Sequence, residues 1–65
     1  MTHAEFFRDA LHKIRFASCA GDYFYYSEGA KNYLSKISSK SLTPEELELA
    51  KELCREVGGK LADEK

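Results

Sequence analysis

The sequence predicts an all-α fold, a small three-helix bundle, on three observations. Capping patterns open two segments, apolar residues recur within both at three- and four-residue steps, and the segment between them continues a helical phase. The 65 residues are expected to form one small domain, 1–65, near the lower size limit for a single hydrophobic core. Its stability is therefore expected to be marginal.

The first helix is indicated by a capping box at the N-terminus. Thr2 is followed three residues later by Glu5, so that hydroxyl and carboxylate can each satisfy an orphan backbone N–H. Phe7, Leu11 and Ile14 then form an apolar stripe. The helix is predicted from residue 3 to about 16, with three basic residues on another face: Arg8, His12 and Arg15.

The last helix carries the clearest signal. Thr43 is a candidate N-cap, Pro44 suits the first helical position, and Glu46 completes a second capping box. One face is then apolar: Leu47, Ala50, Leu53, Cys54, Val57 and Leu61. Gly58 and Gly59 are stop signals, although the last apolar residue stays in phase and the helix could resume.

The middle segment is ambiguous. Asp22 can cap a helix with six residues on one face: Tyr23, Tyr26, Ala30, Tyr33, Leu34 and Ile37. Alternatively, Gly21 and Asp22 form the turn of a short β-hairpin over residues 15–27, which would give an α+β fold of a helix, a hairpin and two helices. The helix is favoured because an isolated two-stranded hairpin is marginally stable.

Composition and charge exclude several classes of protein. The net charge is −1; residues 1–42 carry two more basic than acidic side chains, and residues 43–65 carry three more acidic than basic. No apolar stretch approaches the length of a membrane span, and the N-terminus lacks the pattern of a signal peptide. We therefore expect a cytoplasmic protein with no membrane partner, in which Cys19 and Cys54 are reduced thiols.

No pattern of catalytic or metal-ligating residues emerges. His12 and Cys19 are seven residues apart and could meet, but no acidic residue to orient the histidine and no oxyanion hole accompany them. His3 and His12 would point to different sides of a helix, and neither has a cysteine at zinc-finger spacing. We expect no enzyme activity, no catalytic residue, no metal and no cofactor.

Aromatic residues are dense in the middle segment, where residues 23–26 are four in succession. On a helix such a run points in several directions, so some of it must be exposed. Exposed tyrosine combines a rigid apolar ring with a polar tip and is enriched at interface hot spots. Four tyrosines are therefore predicted to bind a partner: Tyr23, Tyr25, Tyr26 and Tyr33.

A second candidate is an acidic ridge on the last helix, which is predicted to lie opposite the apolar stripe. Its members follow helical spacing: Glu45, Glu48, Glu52 and Glu56. Lys51 and Arg55 flank the ridge and are expected to neutralise part of it. Such a row is commonly a solvated face, but it can also dock on a basic groove that normally holds nucleic acid.

These features favour a small non-enzymatic regulator or inhibitor that binds a protein partner. Bacterial and phage inhibitors of host defence, including anti-CRISPR-like proteins, are a class of this size and kind. The alternative function is a small helix-turn-helix-like nucleic-acid-binding domain, which the near-neutral charge disfavours. The small core also leaves a homodimer open as an assembly state.

Overall fold

The computed structural model describes residues 2–64, which form three packed helices: α1 (His3–Arg15), α2 (Ala20–Leu34) and α3 (Pro44–Val57). A single 3₁₀ turn, Ser39–Ser41, lies between α2 and α3. Each helix contacts the other two. The predicted three-helix bundle is confirmed, and the alternative with a hairpin over 15–27 is wrong, because α2 runs unbroken through most of that range.

Both predicted capping boxes are present. The N–H groups of Glu5 and Glu46 each donate to the preceding threonine hydroxyl, Thr2 or Thr43, at 3.2 Å. At the other end of α3, Gly58 has a φ of 71°, the left-handed conformation that ends many helices and that glycine adopts without strain. The local sequence alone therefore accounts for both ends of α3.

The helix does not resume after Gly58. Leu61 stays in the core, with no exposed surface, but it is delivered there by a non-helical segment. This tail is fixed by a hydrogen bond from the N–H of Ala62 to the carbonyl of Ile37, at 2.8 Å. The apolar phase that suggested a longer helix thus reflects burial of Leu61 rather than continued helix.

The start of α2 differs from the prediction. The N-cap is Cys19, whose side chain makes no capping hydrogen bond, and Asp22 lies within the first turn. Its carboxylate is placed there to complement the positive end of the helix dipole rather than to cap the helix. The predicted face also overruns the helix, because α2 ends at Leu34 and Ile37 is buried from the turn that follows.

The core lies between the three helices and is closed by the C-terminal tail. Its buried apolar residues are Phe7, Ala10, Leu11, Ile14, Ala30, Leu34, Ile37, Ala50, Leu53, Val57 and Leu61. From α2 itself only Ala30 and Leu34 belong to this set, together with one buried polar residue, Ser27. The longest helix therefore has one large, fully buried apolar side chain, Leu34, and its Tyr26 and Tyr33 pack against the core while only partly buried.

Candidate protein-binding surface

The aromatic run of α2, Tyr23 to Tyr26, spreads around the helix. Phe24 and Tyr25 leave 67% and 74% of their surface exposed, Tyr23 leaves 44%, and Tyr26 is half-buried. Successive helical residues are about 100° apart, so the run cannot face the core as a whole. We refer to Tyr23, Phe24, Tyr25 and Tyr26 as the aromatic surface of α2.

A broad groove of about 910 Å³ runs beside this surface, along α2 and the adjoining side of α1. Its lining includes Phe6 and Lys13 from α1 and Phe24, Tyr25 and Tyr26 from α2. The small residues Gly29 and Ala30 also line it. Ligand sites are concave and mostly apolar with a few polar groups, and this groove has that composition.

Tyr33 forms one end of the groove and is held firmly. Its ring stacks on Phe6 with centroids 3.8 Å apart, and its hydroxyl shares a 2.7 Å hydrogen bond with Nδ1 of His3. Phe7 meets the same ring edge-on. Tyr33 is therefore half-buried and joins the two helices, so only part of its surface is available to a partner.

Tyr26 marks the middle of the groove. The ammonium group of Lys13 lies 5.5 Å from the centre of its ring, and Tyr25 contacts it edge-on at 5.5 Å. Lys13 also pairs with Asp9 at 2.9 Å, a contact that raises the pKa of this lysine. The cation is thus fixed over an aromatic ring beside an exposed tyrosine.

Tyr23 turns toward α3, where its hydroxyl donates to the carbonyl oxygen of Glu56 at 3.4 Å. Of the four predicted tyrosines, Tyr25 is the most exposed, and the other three each have part of their surface in contact with the bundle. That these four tyrosines bind a partner stays a prediction.

Phe24 was absent from the predicted site because that prediction selected residues with a polar tip. Its exposure could have been anticipated from its helical position. Measured around α2, Phe24 lies about 80–120° from Ala30 and Leu34, the residues that face the core. Phe16, the residue that ends α1, is a second exposed aromatic at 74%.

The acidic ridge is not an isolated row of charge. Arg8 pairs with Glu45 at 2.5 Å, and Arg15 pairs with Glu52 at 2.5 Å and with Glu56 at 3.5 Å. The ridge therefore lies along the boundary of α1 and α3. Its neutralising partners are arginines of α1, not the predicted Lys51 and Arg55.

The ion pairs change what the ridge offers to a partner. Three of its four carboxylates are engaged within the chain, and Glu48 is the exposed member outside these pairs. The same contacts occupy Arg8 and Arg15, the basic stripe of α1. The hydrogen bond with Glu52 is the main reason that the pKa of Arg15 is raised.

The two cysteines are free thiols, and neither they nor the other side chains that could bind a metal ion form a cluster in the described residues. Cys19 is exposed, and Cys54 is partly buried, which raises the pKa of its thiol and disfavours the reactive thiolate. No disulfide joins them. Between residues 2 and 64, no three histidine, cysteine or acidic side chains are grouped to hold a metal ion.

None of the helices within that range combines the length and apolar character needed to cross a membrane. Comparisons with known proteins found no matching family model, no matching curated protein and no matching solved structure.

Proposed function

We propose that this chain is a non-enzymatic regulator or inhibitor that acts by binding a protein partner through the aromatic surface of α2. The observation that carries this proposal is the exposure of Phe24 and Tyr25, two adjacent large side chains on a regular helix. Burying one such side chain is worth roughly 2 kcal/mol. Because both side chains remain exposed to water in this fold, their burial against a partner would be favourable.

The groove beside α2 supports the same proposal. Tyr25 stands next to Tyr26, and the lysine over that ring supplies a fixed charge at the rim of an apolar depression. An aromatic anchor with a polar tip, flanked by partly covered apolar surface, is the usual composition of an interface hot spot. Tyr25 would be the central anchor and Phe24 its apolar neighbour.

The acidic ridge is the secondary contact in this proposal. Docking on a basic groove would require its carboxylates to exchange Arg8 and Arg15 for cations of the partner. Glu48, which is outside those pairs, would make the first contact. Exposed pairs of this kind are individually weak, so the exchange costs little, but it adds orientation and association rate more than affinity.

The nucleic-acid alternative has less to support it. Four basic side chains of α1 and α2 pair with acidic side chains, which offsets part of the positive charge that they could present to phosphate: Arg8, Lys13, Arg15 and Lys31. Lys36 stands outside these pairs. α3 carries five glutamates against Lys51 and Arg55 and is unsuited to a recognition helix.

The test is affinity capture from a lysate of the native host with four single variants. Tyr25→Ala and Phe24→Ala are each expected to reduce recovery of the partner at least about tenfold, the effect of a hot-spot side chain. Glu48→Ala probes the secondary contact and is expected to reduce recovery only slightly. Lys60→Ala, at an exposed position in the tail that follows α3, is added as the control and should leave recovery unchanged. All variants should retain the wild-type helical circular dichroism spectrum.

Recovery that is unchanged by both aromatic substitutions would overturn the proposal. If only Glu48→Ala reduced recovery, the ridge would become the primary site. A parallel sample treated with nuclease separates the alternative function, because a signal that disappears with nuclease would indicate nucleic-acid binding instead.

A further inference from the structure

Gly29 has no explanation within the chain. It lies inside α2, where glycine costs roughly 0.5–1 kcal/mol relative to alanine. A Cβ atom built at this position would have no neighbour within 4 Å. Gly29 therefore makes α2 less stable than alanine would, although the surrounding side chains leave room for a larger residue at this position. Close approach of another backbone is the remaining structural reason for glycine there.

Two opposite charges lie symmetrically about Gly29. Asp22 precedes it by seven residues, about two helical turns, and therefore lies on the same side of α2. Lys36 follows it by seven residues, just beyond the helix, in a turn that its own N–H closes onto the carbonyl of Tyr33 at 3.2 Å, and it lines the same groove as Gly29. In residues 2–64, neither Asp22 nor Lys36 forms an ion pair, although Glu28 and Lys31 of α2 pair with each other.

We propose that a second copy of this chain covers this face, with the two α2 helices antiparallel about a two-fold axis at Gly29. In this arrangement Asp22 of each copy lies opposite Lys36 of the other, and the glycines meet at the crossing point. Tyr25 packs toward Tyr33 of the second copy. The contact is isologous, so the same ion pair forms twice, which is the pattern that two-fold dimers use.

The charges of Asp22 and Lys36 favour a second copy of this chain as the occupant of this face. A helix that crosses antiparallel at Gly29 must present a cation opposite Asp22 and an anion opposite Lys36. α2 together with the turn that follows it meets both requirements without any other sequence being invoked. The glycine crossing also permits an interhelical distance below the usual 8–10 Å.

The available area indicates a weak dimer. Tyr25, with 74% of its surface exposed, is the main large side chain on this face, and an aromatic residue covers about 150–250 Å² when buried. The contact is therefore smaller than the roughly 800 Å² per partner of a standard interface. Association should depend on concentration and weaken with salt, which screens exposed ion pairs.

This inference goes beyond the proposed function and does not depend on it. Around the helix, Phe24 lies about 140° from Gly29, so the second copy leaves Phe24 exposed. Tyr25 is shared, so a protein partner and the second copy would compete for it. Phe24→Ala should then reduce partner capture without changing self-association, which separates failure of one proposal from failure of the other.

The test is sedimentation velocity of the full chain at low salt from about 10 µM to about 1 mM, the range of weak association. The wild type is expected to shift from monomer to dimer. Asp22→Lys and Lys36→Asp each place like charges together twice, so each variant alone should associate at least about tenfold more weakly. An equimolar mixture of the two should regain the dimer, because the lysine introduced in one variant then faces the aspartate introduced in the other.

Gly29→Gln serves as a second variant that does not depend on charge. Glutamine favours the helix, so circular dichroism should show a fold at least as stable, while the added side chain should abolish the dimer. A wild type that stays monomeric over the whole range would overturn the proposal. A mixture that associates no better than its components would overturn the antiparallel arrangement, as would single charge variants that dimerise like the wild type.

Discussion

α2 and α3 are of similar length and pack against α1 and against each other, but their sequences follow different local rules. α3 begins with a capping box and a proline at its first turn and ends at a glycine in the left-handed conformation. Its buried residues form one face, and three of its five glutamates pair with arginines of α1. Each local choice in α3 agrees with the fold.

α2 departs from these choices at four points. Cys19 provides no capping hydrogen bond, Gly29 weakens the helix interior, Ser27 is buried with an unpaired hydroxyl, and Phe24 and Tyr25 are exposed. Local rules are broken most often where a residue serves function rather than folding. The contrast is that local signals and packing agree throughout α3, whereas α2 departs from them where it holds the residues of the proposed binding surface.

The largest effect that would sharpen this contrast is expected at Ser27. Its side-chain oxygen is buried and has no hydrogen-bond partner, and alanine is also the better helix former. Ser27→Ala should therefore raise the free energy of unfolding by about 1–2 kcal/mol. Urea denaturation followed by circular dichroism measures this change.

Ser35→Ala is the matched control for that measurement. The hydroxyl of Ser35 is exposed and donates to the carbonyl of Asn32 at 2.8 Å, so its removal should change stability by less than about 0.5 kcal/mol. A loss of stability in Ser27→Ala would show that the buried hydroxyl is hydrogen-bonded in solution. α2 would then obey the packing rules at this position.

A somewhat smaller effect is expected from exchanging the helix caps. Thr43→Ala removes the hydroxyl that accepts from Glu46 and should cost about 1 kcal/mol. Cys19→Ser supplies α2 with the hydroxyl it lacks, on a backbone already extended at the N-cap, and should gain up to about 1 kcal/mol. Thermal denaturation compares both with the wild type. Changes of the same sign would remove capping as a difference between the two helices.

The same difference explains what the sequence could predict. α1 and α3 were predicted almost to the residue because their capping boxes and apolar periods are local signals. The start of α2 could not be found, because Cys19 gives no capping signal and the run Tyr23–Tyr26 fits a strand as well as a helix. Only packing against the other two helices decides between them.

The candidate site was predictable in composition but only partly in geometry. That Phe24 and Tyr25 lie off the apolar face follows from their helical positions, but how far Tyr23 and Tyr26 are covered depends on where α1 and α3 lie. The ion pairs of the ridge could not be predicted from the sequence for the same reason, because Arg8 and Glu45 are 37 residues apart in sequence. Spacing along a single helix indicates Lys51 and Arg55 instead, because it takes no account of side chains on α1.

The smallest effect is expected from pH, and it concerns the tail that follows α3. The backbone N–H and the hydroxyl of Ser39 both donate to the carboxylate of Asp63, which lowers the pKa of this carboxyl. A pKa that is lower in the folded state adds stability above the unfolded value of about 4, and this contribution is lost as the pH falls through the folded value. Acid should therefore loosen the contact between the tail and the 3₁₀ turn.

Asp63→Asn tests this contribution, because the amide keeps an acceptor but carries no charge. The variant should unfold at a slightly lower temperature than the wild type at pH 7, and the difference should shrink or vanish near pH 3. Glu64→Gln is the control, since this exposed side chain accepts no hydrogen bond from the described residues, and the variant should unfold close to the wild type at pH 7. A difference for Asp63→Asn that persists unchanged at pH 3 would contradict the assignment. The acid sensitivity would then have to come from the capping carboxylate of Glu46, whose pKa is lowered by the N–H of Thr43 and whose loss would weaken α3 itself.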